Sequence, residues 1–444
     1  MRTADEVKIA HLYRRAGFGL SPEELKAAAA KGFEACVEEL LHPEKIKDPL
    51  DERLAELQGE LFDFSRLEDA QAWWLYRMIH TRRPLVEKMT LFWHGHFATA
   101  NSKVDNPRLM LKQNELFRSL GLGKFPALLL GVARDPAMIL WLDNGTSSKK
   151  HPNENFGREL LELFTLGIGH YTEAEVRDVA RAFTGWKQRD GEFYYDEKDH
   201  DDGPKTFIAQ TWAWKGEEVI DALARDRATA EHLAAALVRF FVSDEGDAGL
   251  ETEVTRVYLD SGGDIRASVG AILRSQVFSA EDALRARVKS PIELVIGAIR
   301  ELRSTLPVRT LPNALAQMGQ SPFNPPTVKG WDGGLAWINS ATLFARGSFA
   351  NLLATERGTK ADNWFDPSEW LPKDCDAKTA IATFDDALLD GRMSDEARAA
   401  LDEYLMGKGK DGKPVPFKGS PQTLDEKVRG LVRLILASPA YQLA

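Results

Sequence analysis

Thr172-Glu173-Ala174-Glu175-Val176-Arg177-Asp178-Val179-Ala180-Arg181-Ala182-Phe183 decides the fold class. Thr172 and Glu175 have the spacing of a capping box, in which each side chain satisfies a backbone N–H that the first helical turn leaves without a partner. Val176, Val179, Ala180 and Phe183 follow at i, i+3, i+4 and i+7, one buried stripe on a helix. The pattern predicts an amphipathic helix over 173–185. Working outward, Ser21-Pro22-Glu23-Glu24 repeats the cap with proline in the first turn, so a second helix runs to about Lys31.

Helical periodicity also covers 34–41, 68–80, 84–94, 107–119, 154–166, 228–242, 264–275, 289–304, 333–356, 378–389, 394–406 and 423–437. The expectation is a mostly α protein, a large multi-helix array. Residues 188–214 interrupt it. Phe193, Tyr194, Tyr195, Phe207, Ile208 and Trp212 surround an acidic, glycine-containing turn there, which predicts a β-hairpin-like or extended excursion. The break suggests a helical lobe over 1–187, the excursion, and a second lobe over 215–444, or one compact body. A Pro/Gly-rich loop over 321–334 and a polar connector over 408–421 complete the plan.

Composition narrows the function classes. Hydrophobic residues make up 43% and charged residues 28% of 444 residues, ordinary values for a folded core. A formal net charge of −10 argues against a general nucleic-acid binder, which needs concentrated Lys and Arg to neutralise phosphates. Cys36 and Cys375 lack CxxC spacing, so neither a disulfide framework nor a cysteine zinc site is expected. The longest apolar runs, such as 125–133, fall short of the ~20 residues that span a bilayer. The acidic start at Asp5 and Glu6 lacks the apolar stretch of a signal peptide, giving a cytoplasmic expectation.

Four polar segments could carry chemistry. His94-Gly95-His96 has a metal-ligand spacing, but positions i and i+2 of an α-helix point about 200° apart, so both ligate one ion only if Gly95 breaks the helix. Two hydrogen-bonded histidines in an aromatic core explain the pattern equally well. On the helix of 154–166, Glu154, Asn155, Arg158, Glu159, Glu162 and Thr165 share about 140° of the wheel. Glu159 and Glu162 could hold a cation or work as acid and base, with Arg158 on an anionic group; a solvated face laced with ion pairs has the same pattern. His200 and Lys205 sit in Asp199-His200-Asp201-Asp202-Gly203-Pro204-Lys205, either a plain turn or ligand contacts. Lys329 and Trp331, in a loop rich in glycine and tryptophan, suit a sugar or peptide. No GxGxxG after a strand, P-loop, HExxH or GxSxG occurs.

In this order, these segments resemble the bacterial domain of unknown function 1800 family. The likeness runs from His11-Leu12-Tyr13-Arg14-Arg15-Ala16-Gly17-Phe18-Gly19 through Phe92 to Phe97, Asn153 to Gly167, Thr184-Gly185-Trp186, His200 to Phe207, Lys289-Ser290-Pro291 and Pro325 to Ala341, ending at Ser438 to Gln442. The resemblance supplies no reaction, cofactor or catalytic residue. It implies an envelope-associated, sulfatase-like partner, so a chain lacking its own signal either stays inside or is exported with that partner.

The residues themselves lead to two expectations. One is a metal-assisted enzyme, a hydrolase by preference, acting on a glycan or peptide. Its divalent ion would be held by His94, His96 and His200, with Glu159, Glu162 and His94 catalytic and Asn155, Arg158, Lys205, Lys329 and Trp331 on substrate. The other is a non-catalytic binding or escort protein using the same groove.

Overall fold

The structure, a computed structural model, describes residues 2–57, 59, 61–355, 365–372, 375–408, 414–415, 417 and 424–444. It is mostly helical, with three two-stranded antiparallel sheets among the described residues. The predicted cap at Thr172 forms as a full capping box on the helix Glu173–Ala182, whose Val176, Val179 and Ala180 are buried. Ser21 caps Pro22–Lys31 in the same way. The 408–421 connector lies largely outside the described residues.

Two apolar cores organise the array. The first takes its members from Ile9 to Ala283, and the second joins Ala70 to Met78 with Ile292 to Tyr441. The helix Pro84–His96 lies between them, giving Met89, Phe92 and Trp93 to the first core and Leu91 to the second. The helix Pro291–Glu301 is buried along almost its whole length. No helix among the described residues is long and apolar enough to cross a membrane.

The excursion over 188–214 is two hairpins, Trp186–Arg189 with Glu192–Tyr195 and Lys205–Phe207 with Gln210–Trp212. Asp190 and Gly191 turn the first with φ of 53° and 78°, the positive φ values that a two-residue primed turn requires. Phe207 is buried in the first core and Phe193, Ile208 and Trp214 pack against it, so the excursion belongs to that core.

Candidate binding cleft

The helix Pro84–His96 continues without a break through Gly95, so His94 and His96 leave it in different directions. His94 points into the aromatic core. Its Nε2 accepts the backbone N–H of Phe323 at 3.0 Å, and its ring meets those of Trp74, Phe323 and Trp331 at 5.3, 5.7 and 5.6 Å. Burial pushes its pKa down to about 3, so the ring is neutral and carries its proton on Nδ1.

His96 donates from Nε2 to the carbonyl of Phe164 at 3.1 Å, and His232 does the same to Leu163 at 3.2 Å. These carbonyls close the π-helical turn Leu160–Phe164, at the helix end where carbonyls lack partners of their own. Burial, with His232 nearby, pushes His96 down to about 3.

The expected metal shell is not assembled. His200 lies elsewhere, its Nδ1 on the carbonyl of Thr184 at 2.9 Å and its ring beside Tyr195. Among the described residues no three His, Cys, Asp or Glu side chains are grouped to hold a metal ion. The helix through Gly95 is the physical reason for His94 and His96: one lone pair is spent on Phe323, while the other ring caps a different helix. Lys205 also departs from expectation. Buried, it donates to the carbonyls of Asp201 and Gly203 and so braces its own turn.

The second polar segment is divided. Arg158 makes a two-pronged exposed pair with Glu173 at 2.6 and 2.8 Å, and Asn155 is exposed on the first turn. Glu162 accepts the hydroxyl of Tyr171. Glu159 is partly buried; burial and neighbouring Glu162 raise its carboxyl pKa against the pull of Arg158 and Lys329.

Lys329 and Trp331 do converge with His96, in a cleft of about 540 Å³. Phe92, Gly95 and His96 form one side, Arg239 and Phe240 another, and the loop from Lys329 to Trp337 a third. Arg287, Ser290, Glu293 and Gln320 supply its buried polar wall.

That loop is held tightly to the helix. Gly330 has φ 78°, and a Cβ there would lie 2.4 Å from the carbonyl oxygen of Gly95, so only glycine permits the approach. Phe323 sits at φ 61°, unusual for a bulky residue. Its N–H goes to His94, its carbonyl accepts Asn101 N–H at 2.8 Å, and its ring stacks on Trp74 at 5.1 Å. The surrounding contacts thus over-determine a strained conformation beside the cleft.

Charge concentrates on the buried wall. Glu293 accepts from Lys88, Arg287 and the Ser290 N–H. Burial alone would raise the Glu293 carboxyl; Arg287 and Lys88 reverse this and hold it well below the usual carboxylate range. Burial lowers Lys88 to about 8. Lys88 also donates to the carbonyl of Gly17 at 3.1 Å, tying the end of the Arg14-Arg15-Ala16-Gly17 segment into the same network.

Sequence reasoning missed Lys88, Arg239, Arg287 and Glu293 as site residues. The signal for Glu293 was present, since a carboxylate inside Ile292-Glu293-Leu294-Val295-Ile296 must be buried with a partner. Lys88 stands likewise between Leu85 and Met89, Leu91 and Phe92.

The family described as "Protein of unknown function (DUF1800)" matches residues 11–443. No curated protein and no solved structure matches the chain.

Proposed function

This chain belongs to the DUF1800 family, and we propose that it binds a polar ligand, a glycan or a peptide, in the cleft between His96, Arg239, Arg287 and Trp331. One observation carries the reading: Trp331, Trp337, Phe92 and Phe240 line the same cavity as Arg287 and Glu293. Aromatic faces suit the C–H surface of a sugar or the side chain of a peptide, and the converging polar groups fix orientation. Gly333 and Gly334 leave backbone open to the ligand. In this reading Lys329 and Trp331 face the ligand. The test is a screen of oligosaccharides and short peptides against the wild-type protein and Trp331→Ala. The reading expects at least one binder whose affinity falls tenfold or more in the variant, and binders indifferent to Trp331 contradict it.

A hydrolytic second reading rests on Glu159. Its carboxyl is raised by burial and by Glu162, and Lys329 of the cleft lies within its electrostatic reach. A carboxyl that keeps its proton at higher pH is the form a general acid needs. In this reading Glu159→Gln abolishes turnover of a ligand found in the screen while leaving its Kd unchanged. Equal turnover by the variant removes it.

A further inference from the structure

The buried wall of the cleft gathers more cations than carboxylates. Arg239, Arg287 and Lys329 line it, and Lys88 and Arg15 stand behind its buried wall. Asp244, Glu293 and Asp332 line it as well, and Glu159 lies within electrostatic reach of Lys329. The lining residues by themselves balance at three cations and three carboxylates, in a chain whose formal net charge is −10, and Lys88 and Arg15 tip the buried side of the cleft toward positive. Local excess of the sign opposite to the whole is what a cleft built for an anion requires.

The buried members sharpen the point. Arg15 is fully buried, donates from Nη2 to the carbonyl of Ala283 at 2.9 Å, and leaves Nε and Nη1 without a partner. Arg287 is 6% exposed, gives Nη2 to Glu293, and leaves Nε without a partner. Glu293 is already shared between Arg287 and Lys88 and accepts a backbone N–H besides. One buried carboxylate is therefore shared by three buried cations, with only the exposed Asp244 acting on Arg15 besides, and uncompensated buried charge is costly. Burial and the adjacent Arg287 push the Arg15 guanidinium well below its ordinary value, the mark of a cation short of counter-charge.

We infer that the buried wall of the cleft is an oxyanion subsite, in which a carboxylate or phosphate group of the ligand lies against Arg287, with Arg239 and Lys329 at the rim. Guanidinium suits this task because its planar fork matches oxyanion geometry. The inference rests on the cleft being the ligand site and adds the ligand's charge: an acidic glycan or acidic peptide is preferred over a neutral one. Trp331 and Trp337 then take the ligand's uncharged portion.

The test titrates inorganic phosphate and, separately, succinate into the protein at constant ionic strength, following tryptophan fluorescence and thermal midpoint. A neutral disaccharide and a neutral tripeptide are run in parallel. The inference expects saturable binding of at least one oxyanion, weakened tenfold or more by Arg287→Gln and severalfold by the exposed double variant Arg239→Gln/Lys329→Gln. Which of the two binds distinguishes phosphate from carboxylate. Absence of a saturable response to both overturns it, as does unchanged affinity in the rim variant, which decides the matter if Arg287→Gln does not fold. Should a neutral probe bind at Trp331 while both oxyanions do not, this inference falls and the ligand cleft stands. If no probe binds, both fall.

Discussion

The backbone N–H of Phe323 donates to Nε2 of His94 at 3.0 Å, across 229 positions of sequence. This bond fixes the tautomer of a buried imidazole and holds one end of the loop that carries Lys329 and Trp331. It also explains why a histidine stands in an aromatic core: a neutral acceptor is needed there, and a charged one could not be buried cheaply.

Replacing His94 with Ala removes that acceptor and leaves a void among Trp74, Phe323 and Trp331. The expected loss is about 2–4 kcal/mol, combining an unsatisfied buried N–H with a cavity. Urea denaturation measures it, and amide exchange at Phe323 should accelerate more than at residues of the Glu173–Ala182 helix. His94→Gln, which can still accept, should recover part of both effects.

Stability should fall as the solution is acidified below pH 6.5. His94 and His96 are held down to about 3 in the folded chain, so below their unfolded value near 6.5 the unfolded chain binds more protons. Each then contributes stability that is whole above about 6.5 and lost as pH falls, at roughly 1.4 kcal/mol per pH unit. Burial lowers His11 and His232 in the same direction. Asp135, pushed up to about 7 by burial, has the opposite sign and offsets one histidine's share. Denaturation midpoints between pH 7 and 5 should show a net decline, shallower in His94→Gln. A midpoint constant across this range contradicts the assignment of neutral, buried rings.

Glu293→Gln leaves Lys88 and Arg287 without their shared carboxylate. Breaking a buried ion pair from one side costs about 3–5 kcal/mol, so this variant should be among the least stable single substitutions in the cleft. Added phosphate should restore part of the lost thermal midpoint if an anion can enter beside Arg287.

The helices were largely legible because their signals are local. Capping boxes at Ser21 and Thr172, and proline at position 84, mark starts that the structure places within a residue or so. Phe125–Ala133 and Ala248–Asp260 were missed because the first is apolar on every side and shows no period and the second has a weak stripe. Ala4–Arg15 and Gly216–Arg225 were also missed, although the former carries a readable Thr3–Glu6 capping box. At the site, joint chelation by His94 and His96 was expected only if Gly95 broke the helix, and the helix runs through Gly95 unbroken. Periodicity could not reveal that Lys329 and Trp331 meet His96, or that Arg287 and Glu293 lie beside them, since those contacts join segments about 200 residues apart.

Lys205 and Arg158 separate the structural from the ligand-facing polar residues. Lys205→Met strips two carbonyls of their donor in a partly buried turn and should cost about 1–2 kcal/mol. Arg158→Ala loses an exposed pair with Glu173 and should cost at most about 1 kcal/mol. Neither should alter affinity for a ligand bound at Trp331. A double-mutant cycle with Glu173→Ala measures the Arg158 pair alone.

The most direct measurement of the central claim is fluorine NMR on protein labelled with 5-fluorotryptophan, with the Trp331 and Trp337 signals assigned by Trp→Phe variants. Titration with an acidic oligosaccharide or acidic peptide identified by screening should shift these two resonances saturably, leaving that of Trp212, exposed on its hairpin and outside the cleft lining, unmoved. Saturable binding that leaves both Trp331 and Trp337 unperturbed would contradict the cleft as the ligand site.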